Sequence, residues 1–380
     1  MMIIMNSYLE ASQSFIENMP YHESPYCGRN WGHSWHSLCS YHGKLKPAIA
    51  HFLVSSFTKE GDVILDPLCG VGTIPFEASL QGRIGIGNDL SELAYCVSKA
   101  KLEKPSYDEV IRELGNLHQT IESKKSAYGK GTLPYSGFGL NHTIGEYFHR
   151  DTLAELLAAR EYFLKDFENL SASKAMVFAA LLHVLHGNRP YALSRTSHPL
   201  TPYAPHGEYI YKNVTDHVRN KIELAYKETD FTSFVKGKAI YGDFSNLSGI
   251  NADAIITSPP FANSMRFYTQ NWLRLWMCGW EPDDFKAASG RFLDQKQNKD
   301  LDVYIPFFAM CASSLKDNGK LILHLGKTKK IDMAENLSLR SRQWFEEIYR
   351  GDESVSNIEK HGIKDKGGTT EHQYLFLIKK

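Results

Sequence analysis

The chain has 380 residues, 42% apolar and 23% charged, with 43 basic and 43 acidic side chains. That balance supports a packed core, excludes global disorder and removes any whole-protein positive field, so nucleic-acid contact would have to come from a local basic surface. Cys27, Cys39, Cys69, Cys96, Cys278 and Cys311 lack the spacing of a disulfide framework, and no apolar run approaches the ~20 residues of a membrane span. The expectation is a reducing, cytoplasmic setting. The opening MMIIMNSYLEASQ, without a basic n-region, does not read as a signal peptide.

Residues 1–40 are aromatic and polar with little periodicity. The pattern from Leu45 to Phe57 predicts an amphipathic helix, and Asp62–Leu65 a short strand. A glycine-rich turn over Asp66–Thr73 follows, then a helix to about Leu80, a strand over Ile84–Asn88, and a further helix capped by Ser91. Residues 105–235 break this rhythm with helices over Asp151–Phe167 and Ser173–His186 and with loops rich in Gly, Pro and Tyr. Strands resume at Gly237–Tyr241 and Asp253–Thr257. A helix near Tyr304–Leu315, a turn at Asp317-Asn318-Gly319, a strand at Lys320–Leu325 and a last strand in HQYLFLIK complete the chain. Strand–helix alternation on either side of an interruption predicts an α/β fold with a mostly parallel sheet, helices on both faces and an inserted helical subdomain. Its expected parts are 1–104, a cofactor-binding half; 105–235, the insert; and 236–380, a catalytic half.

The segment DVILDPLCGVGTIPFEASLQGRIGIGND has a strand, a tight glycine turn, a helix, a second strand and a terminal acid. Gly70 and Gly72 let backbone approach a ligand closely, and the helix starting near Thr73 presents free N–H groups there. Asp89, at the end of the second strand, can accept hydrogen bonds from both hydroxyls of a ribose. A nicotinamide fingerprint would need a third glycine where this chain has Pro75. Downstream, the strand DAIIT ends in Ser258-Pro259-Pro260-Phe261, where two residues without an N–H stop any ladder.

Asp66-Pro67-Leu68-Cys69-Gly70-Val71-Gly72-Thr73 resembles the S-adenosylmethionine motif of the DNA amino-methyltransferases, with Leu68 and Cys69 where that family usually has Phe and Gly. Tyr41-His42-Gly43-Lys44-Leu45-Lys46-Pro47 is similar to its lysine-proline motif, which helps close the methionine pocket. Asp243, in Gly242-Asp243-Phe244, matches the third-strand acid near the adenine ring. Ser258-Pro259-Pro260-Phe261 resembles the family's (D/N/S)-P-P-(Y/F) catalytic motif. The resemblance covers roughly 41–103 and 237–325. It implies a class I S-adenosylmethionine-dependent methyltransferase fold, Rossmann-like with seven strands. It places Lys46, Pro47, Asp66, Pro67, Cys69, Gly70, Gly72, Thr73, Asp89 and Asp243 around the cofactor, with no metal required.

The serine-proline motif also has a physical logic. An exocyclic amine conjugated with a base is a poor nucleophile, and acceptors that bond its hydrogens hold it and favour a more tetrahedral nitrogen. Ser258 Oγ and the Pro259 carbonyl are the candidate acceptors, Pro259 and Pro260 fix that carbonyl, and the Phe261 ring offers a face for the base. A base inside a duplex must be flipped to reach such a pocket. Serine at the first motif position resembles the cytosine-N4 members, so the expected activity is methylation of cytosine N4 in double-stranded DNA. The alternatives are adenine N6, an RNA base, and a non-catalytic binding subunit. The motif order resembles the class whose target-recognition region lies between cofactor and catalytic motifs, and a cognate restriction endonuclease is the expected partner.

The segment HGNRPYALSRTSHPLTPYAPHGEYIYKN (His186–Asn213) is the candidate recognition region. Arg189 and Arg195 suit phosphate or guanine edges, and Tyr191, Tyr203, Tyr209 and Tyr211 can stack or wedge. It reads equally as a surface loop that its tyrosines anchor on the insert helices. Asn263, Ser264, Arg266 and Tyr268 follow the catalytic motif and are expected near the same cleft, with Arg266 facing a phosphate or an acid. Cys27, His33, His36 and Cys39 fit no common zinc spacing; the polar N-terminal segment is expected to fold over cofactor or DNA. Trp272 and Trp276 read as core.

Overall fold

The short apolar runs of the sequence pair into a seven-stranded sheet in the computed structural model of the protein, which describes residues 2–28, 31–128, 131–227, 230–262, 266–354 and 368–380. The strands are β1 (Val63–Asp66), β2 (Ile84–Asp89), β3 (Lys238–Tyr241), β4 (Ala252–Thr257), β5 (Leu315–Thr328), β6 (Phe345–Ser354) and β7 (Thr369–Lys379). Their order is β3-β2-β1-β4-β5-β7-β6. The first five run parallel, and β7 lies antiparallel between β5 and β6. This is the class I methyltransferase fold that the motifs imply.

Side-chain alternation divides the central strands between two apolar layers. Leu65, Ile255, Leu321 and Leu323 join the helices Ile305–Ser314 and Met333–Ser341 on one face. Ile64, Ile256, Ile322 and Phe376 join the helix Pro47–Phe57 on the other. An N-terminal helix, Met2–Asn18, adds Tyr8 and Phe15 to this second layer, against Phe57 and Phe376. Its buried stripe is Tyr8, Ser12 and Phe15, while Ile3 and Ile4 stay exposed, so apolar residues fall on both faces and mask the period.

The interrupting region contributes the helices Tyr107–Lys124, Arg150–Leu164, Ala172–Val184 and Val214–Ala225. The last replaces expected loop, and the first is a helix without a sequence-based expectation of its own, although Val110, Leu114, Leu117 and Ile121 follow a helical stripe. The expected helix to Phe167 stops at Leu164 because Asp166 turns left-handed at φ 60°. The apolar side chains of these helices merge with Leu93, Cys96 and Ala100 of the helix Glu92–Glu103 into one cluster. The helical region is therefore built onto the sheet rather than hung beside it. The turn at Asp317–Gly319 falls within β5, where the β4 pairing shifts register and Asn318 has φ 58°.

Arg274 is the unexpected member of the tryptophan-rich core. It is fully buried between Trp272 and Trp276, which lie in the helix Trp272–Met277. Its guanidinium donates to the carbonyls of Leu182 (2.9 Å), Pro199 (3.1 Å) and Leu200 (3.4 Å). It thereby ties the helical region and the loop after it to the segment that follows β4. Replacing Arg274 with methionine strands those buried carbonyls and is expected to cost about 3 kcal/mol. Equilibrium urea unfolding measures this; a loss within ~0.5 kcal/mol would show the tie to be dispensable.

Candidate active site

Parallel pairing of Ile64 with Ala254 and of Leu65 with Ile255 sets β1 and β4 side by side. The chain leaves β1 towards β2 on one side and β4 towards β5 on the other. Connections that diverge in this way leave a crevice at the carboxyl ends of the strands. A cavity of about 740 Å³ opens there, and residues of both the glycine turn and the serine-proline turn line it.

The glycine turn forms one wall. Gly72 is left-handed (φ 69°) at the N-cap of the helix Thr73–Leu80, and a β-carbon on it would lie 2.9 Å from Ser98 Oγ. Ser98 in turn donates to the Gly70 carbonyl at 2.8 Å. The Gly70 N–H donates to Asp89 Oδ2 (2.9 Å), and the Ser91 N–H to Asp89 Oδ1 (2.8 Å). Asp89 thus fastens the turn to the end of β2 while keeping lone pairs for the cavity. Ser91 holds the N-cap position without making a side-chain cap, so capping by its hydroxyl is not what starts that helix.

Asp66, Cys69, Gly70, Thr73 and Asp89 line the cavity, with Lys46 on one side and Asp243 on another. Pro47, Pro67 and Gly72 do not line it. Pro47 begins its helix, the Pro67 carbonyl accepts from Asn88 (3.1 Å), and Gly72 sets the helix start. Asp243 Oδ1 accepts the Ser245 N–H at 2.9 Å. Burial raises the Asp66 carboxyl to about 7 and that of Asp89 to about 6.

The opposite wall is the turn after β4. Gln297 Nε2 donates to the carbonyls of Pro260 (2.9 Å) and Phe261 (3.2 Å), and Tyr304 fixes the Gln297 oxygen at 2.8 Å. Ser258 Oγ lies 2.9 Å from His324 Nδ1, and His324 Nε2 lies 3.2 Å from His372 Nδ1. The Phe261 ring packs between these histidines, with centroid separations of 5.4 and 5.3 Å, and covers Gly326. Ser258, Pro259, Pro260 and Phe261 all line the cavity.

His324, His372, Gln297 and Gly326 are absent from the sequence reading. His324 and Gly326 share one face of β5, and His372 stands opposite Gly326 on β7. Only the register of β7 against β5 brings them to the serine, and no local motif announces that register.

The three expected nucleic-acid contacts differ. Arg189 is exposed on the loop after Val184. Arg266 is exposed, with Tyr268 Oη 3.5 Å from its Nη1, and no carboxylate among the described residues pairs with it. Arg195 instead donates to the carbonyls of Gly207 (2.8 Å) and Glu146 (3.0 Å) and lies 4.3 Å over the Tyr209 ring. Much of its guanidinium is spent holding the loop together. Tyr203, Tyr209 and Tyr211 stay 52%, 51% and 45% exposed on that loop. Asn263 and Ser264 lie outside the described residues. His36 is taken by Glu77 at 2.6 Å and His33 accepts the Trp35 N–H at 3.1 Å. No helix among the described residues is long and apolar enough to cross a membrane.

A carboxylate beside a left-handed glycine turn, a helix N-terminus and partly apolar walls match a nucleoside that bears an amino-acid tail. The strand order and this cavity define the class I S-adenosylmethionine-dependent methyltransferase fold. A family model described as RMKL-like, methyltransferase domain matches residues 35–125. The Type II methyltransferase M.MjaII of Methanocaldococcus jannaschii is 28% identical over 95 residues, which are 25% of this chain and 17% of that protein. The chain thus matches well under a fifth of the length of that curated relative. Among solved structures, TrmN from Thermus thermophilus aligns over 89% of this chain and 50% of its own, at 12% identity and TM-score 0.33. A putative RNA methyltransferase from Pyrococcus horikoshii aligns over 93% and 91%, at 11% identity and TM-score 0.34. At such scores the strand order carries the fold assignment.

Two substitutions probe the walls. A β-carbon at position 326 would meet Phe261 Cδ2 at 2.5 Å. Gly326→Ala should therefore displace the Phe261 ring and destabilise the protein by about 1–3 kcal/mol; a crystal structure with the ring unmoved would contradict this. Asp66 has a folded pKa of about 7, above its unfolded value. Its contribution to stability is present below about pH 4 and is lost as pH rises through 7. Relative to wild type, Asp66→Asn should gain up to roughly 4 kcal/mol between pH 4 and 8. Paired denaturation curves measure the difference, and a pH-independent offset would refute the assignment.

Proposed function

We propose that the protein transfers the methyl group of S-adenosylmethionine to an exocyclic amine of a flipped base in double-stranded DNA, with cytosine N4 as the preferred acceptor. The observation that carries the reading is that Ser258-Pro259-Pro260-Phe261 leaves β4 into the same cavity as the turn Asp66–Thr73, which leaves β1. The relative named a Type II methyltransferase is in keeping with this reading, and a cognate restriction endonuclease belongs to the proposal as a partner.

The cofactor supplies an electrophilic methyl group on a sulfonium. Gly70, Gly72 and Thr73 form the backbone cradle, and Asp66, Pro67 and Cys69 shape it. Asp89 would accept from the ribose, Asp243 would lie towards the adenine and Lys46 towards the methionine end, with Pro47 starting the helix that follows Lys46. Ser258 Oγ and the Pro259 carbonyl accept hydrogen bonds from the amine. Gln297 donates to the carbonyls of Pro260 and Phe261 and so holds the turn that carries the Pro259 carbonyl. Phe261 stacks on the base, and the cavity excludes the water that would compete for the amine. Arg189 and Arg266 meet phosphate, with Arg195 holding the loop that presents its tyrosines.

Ser258→Ala and Phe261→Ala should each lower methyl transfer to DNA by about 100-fold. Cofactor dissociation constants, measured by calorimetry, should stay within about threefold, since neither side chain belongs to the cradle. Methylome sequencing of cells that express the protein identifies the product. N6-methyladenine would replace cytosine as the acceptor, label in RNA alone would overturn the DNA assignment, and no label anywhere would leave a binding subunit.

A further inference from the structure

We propose that Ser258, His324 and His372 form a proton relay that sets the hydrogen-bond polarity of Ser258 and carries away the proton released by the methylated amine. The inference rests on the reading of Ser258 as the amine-facing acceptor.

His324 is 2% exposed, and both its ring nitrogens have partners: Ser258 Oγ at 2.9 Å and His372 Nδ1 at 3.2 Å. The groups packed on it are Ser258 and Phe261 from the turn and His372 and Tyr374 from β7. The Tyr374 hydroxyl is engaged by Tyr21 (2.8 Å) and Glu353 (3.3 Å). Burial, with His372 alongside, holds His324 well below the usual histidine range, so it rests neutral with a single N–H.

A neutral imidazole between these partners admits two polarities. In one, Nδ1–H of His324 donates to Ser258, and the serine hydroxyl turns its own proton into the cavity. A donor facing the N–H groups of an amine is unfavourable there. In the other, His324 carries its proton on Nε2 and donates it to His372 Nδ1, while the Ser258 hydroxyl donates to His324 Nδ1. Ser258 then presents only lone pairs to the cavity. The second polarity is the one that makes serine an acceptor, as a carboxylate would be without help.

The same chain provides an exit. Transfer forms one N–C bond and breaks one C–S bond, with no net redox change, and leaves the product nitrogen with one proton in excess. That proton passes to Ser258 Oγ as the serine proton passes to His324 Nδ1. The Nε2 proton of His324 moves to His372 Nδ1, and His372, which is half-buried and lines the cavity, gives up its Nε2 proton to solvent. Every group returns to a neutral state, differing only in which nitrogen holds the proton, and ring tautomerisation resets it. His324 is a positioning and relay residue; it reaches the substrate through Ser258.

Two measurements on the full chain test this. In cofactor-free protein labelled with 15N-histidine, the His324 resonances, assigned by loss in His324→Gln, should show an unprotonated Nδ1 and a protonated Nε2 from pH 6 to 8. The opposite tautomer or a doubly protonated ring would overturn the proposal. In His372→Ala, cofactor affinity by calorimetry should be unchanged. Single-turnover transfer should fall at least tenfold and recover on addition of imidazole, more strongly with substituted imidazoles of higher pKa. Unchanged transfer, or loss that no imidazole restores in a variant with wild-type cofactor affinity, would reduce the histidines to packing. If His372→Ala does not fold, the tautomer measurement decides. If wild-type enzyme methylates no DNA, the DNA reading fails, and the tautomer measurement still accepts or rejects the polarity.

Discussion

The site depends on the adjacency of β1 and β4. Their pairing is short, yet it fixes two carboxyl ends in parallel while their connections depart in opposite directions. The cofactor turn and the serine-proline turn are almost two hundred residues apart in sequence, and nothing local attracts one to the other. Backbone hydrogen bonding in the sheet positions both, and each turn then needs only to end its strand correctly. Left-handed Gly72 does this on one side and the proline pair on the other.

Much of this frame is legible in the sequence because it rests on local chemistry. A strand followed by glycines, a helix and a second strand with a terminal acid has few other solutions, and Gly70, Asp89 and Ser258 stand where that pattern puts them. The helices Tyr107–Lys124 and Val214–Ala225 carry an apolar stripe of the same local kind. The N-terminal helix and β6 had weaker signals, since each buries only scattered residues against a layer that exists once the rest has folded. His324 and His372 belong to a third kind. His324 is one polar residue in an apolar run and His372 one of several polar residues at the start of β7, and the meaning comes from antiparallel register across a long connection. Reading such a pair requires knowing which residues oppose each other, and that is a tertiary fact.

The two walls also differ in electrostatic character. The cofactor side gathers carboxyls that burial pushes towards neutrality, Asp66 and Asp89. The serine-proline side carries a hydrogen-bonded row, Ser258, His324 and His372. A serine whose proton is already committed can accept as a carboxylate does without adding a further carboxylate to a cavity that already holds Asp89 and Asp243. Gln297 steadies the backbone of this wall, with one amide donating to two carbonyls.

The buried guanidinium of Arg274 has a bearing on how such a protein could change its target. The loop after Val184 varies freely only where nothing else leans on it, and the carbonyls of Pro199 and Leu200 are anchored to the segment leaving the catalytic turn. A loop of different sequence grafted here would need to present those two carbonyls, and the carbonyls of Pro202 and Tyr203 that Tyr147 holds, at the same places. Backbone anchoring of this kind makes a cassette: exposed side chains such as Tyr203 and Arg189 are open to exchange, while the joint that aligns them with the cavity tolerates any residue that keeps its carbonyl in position.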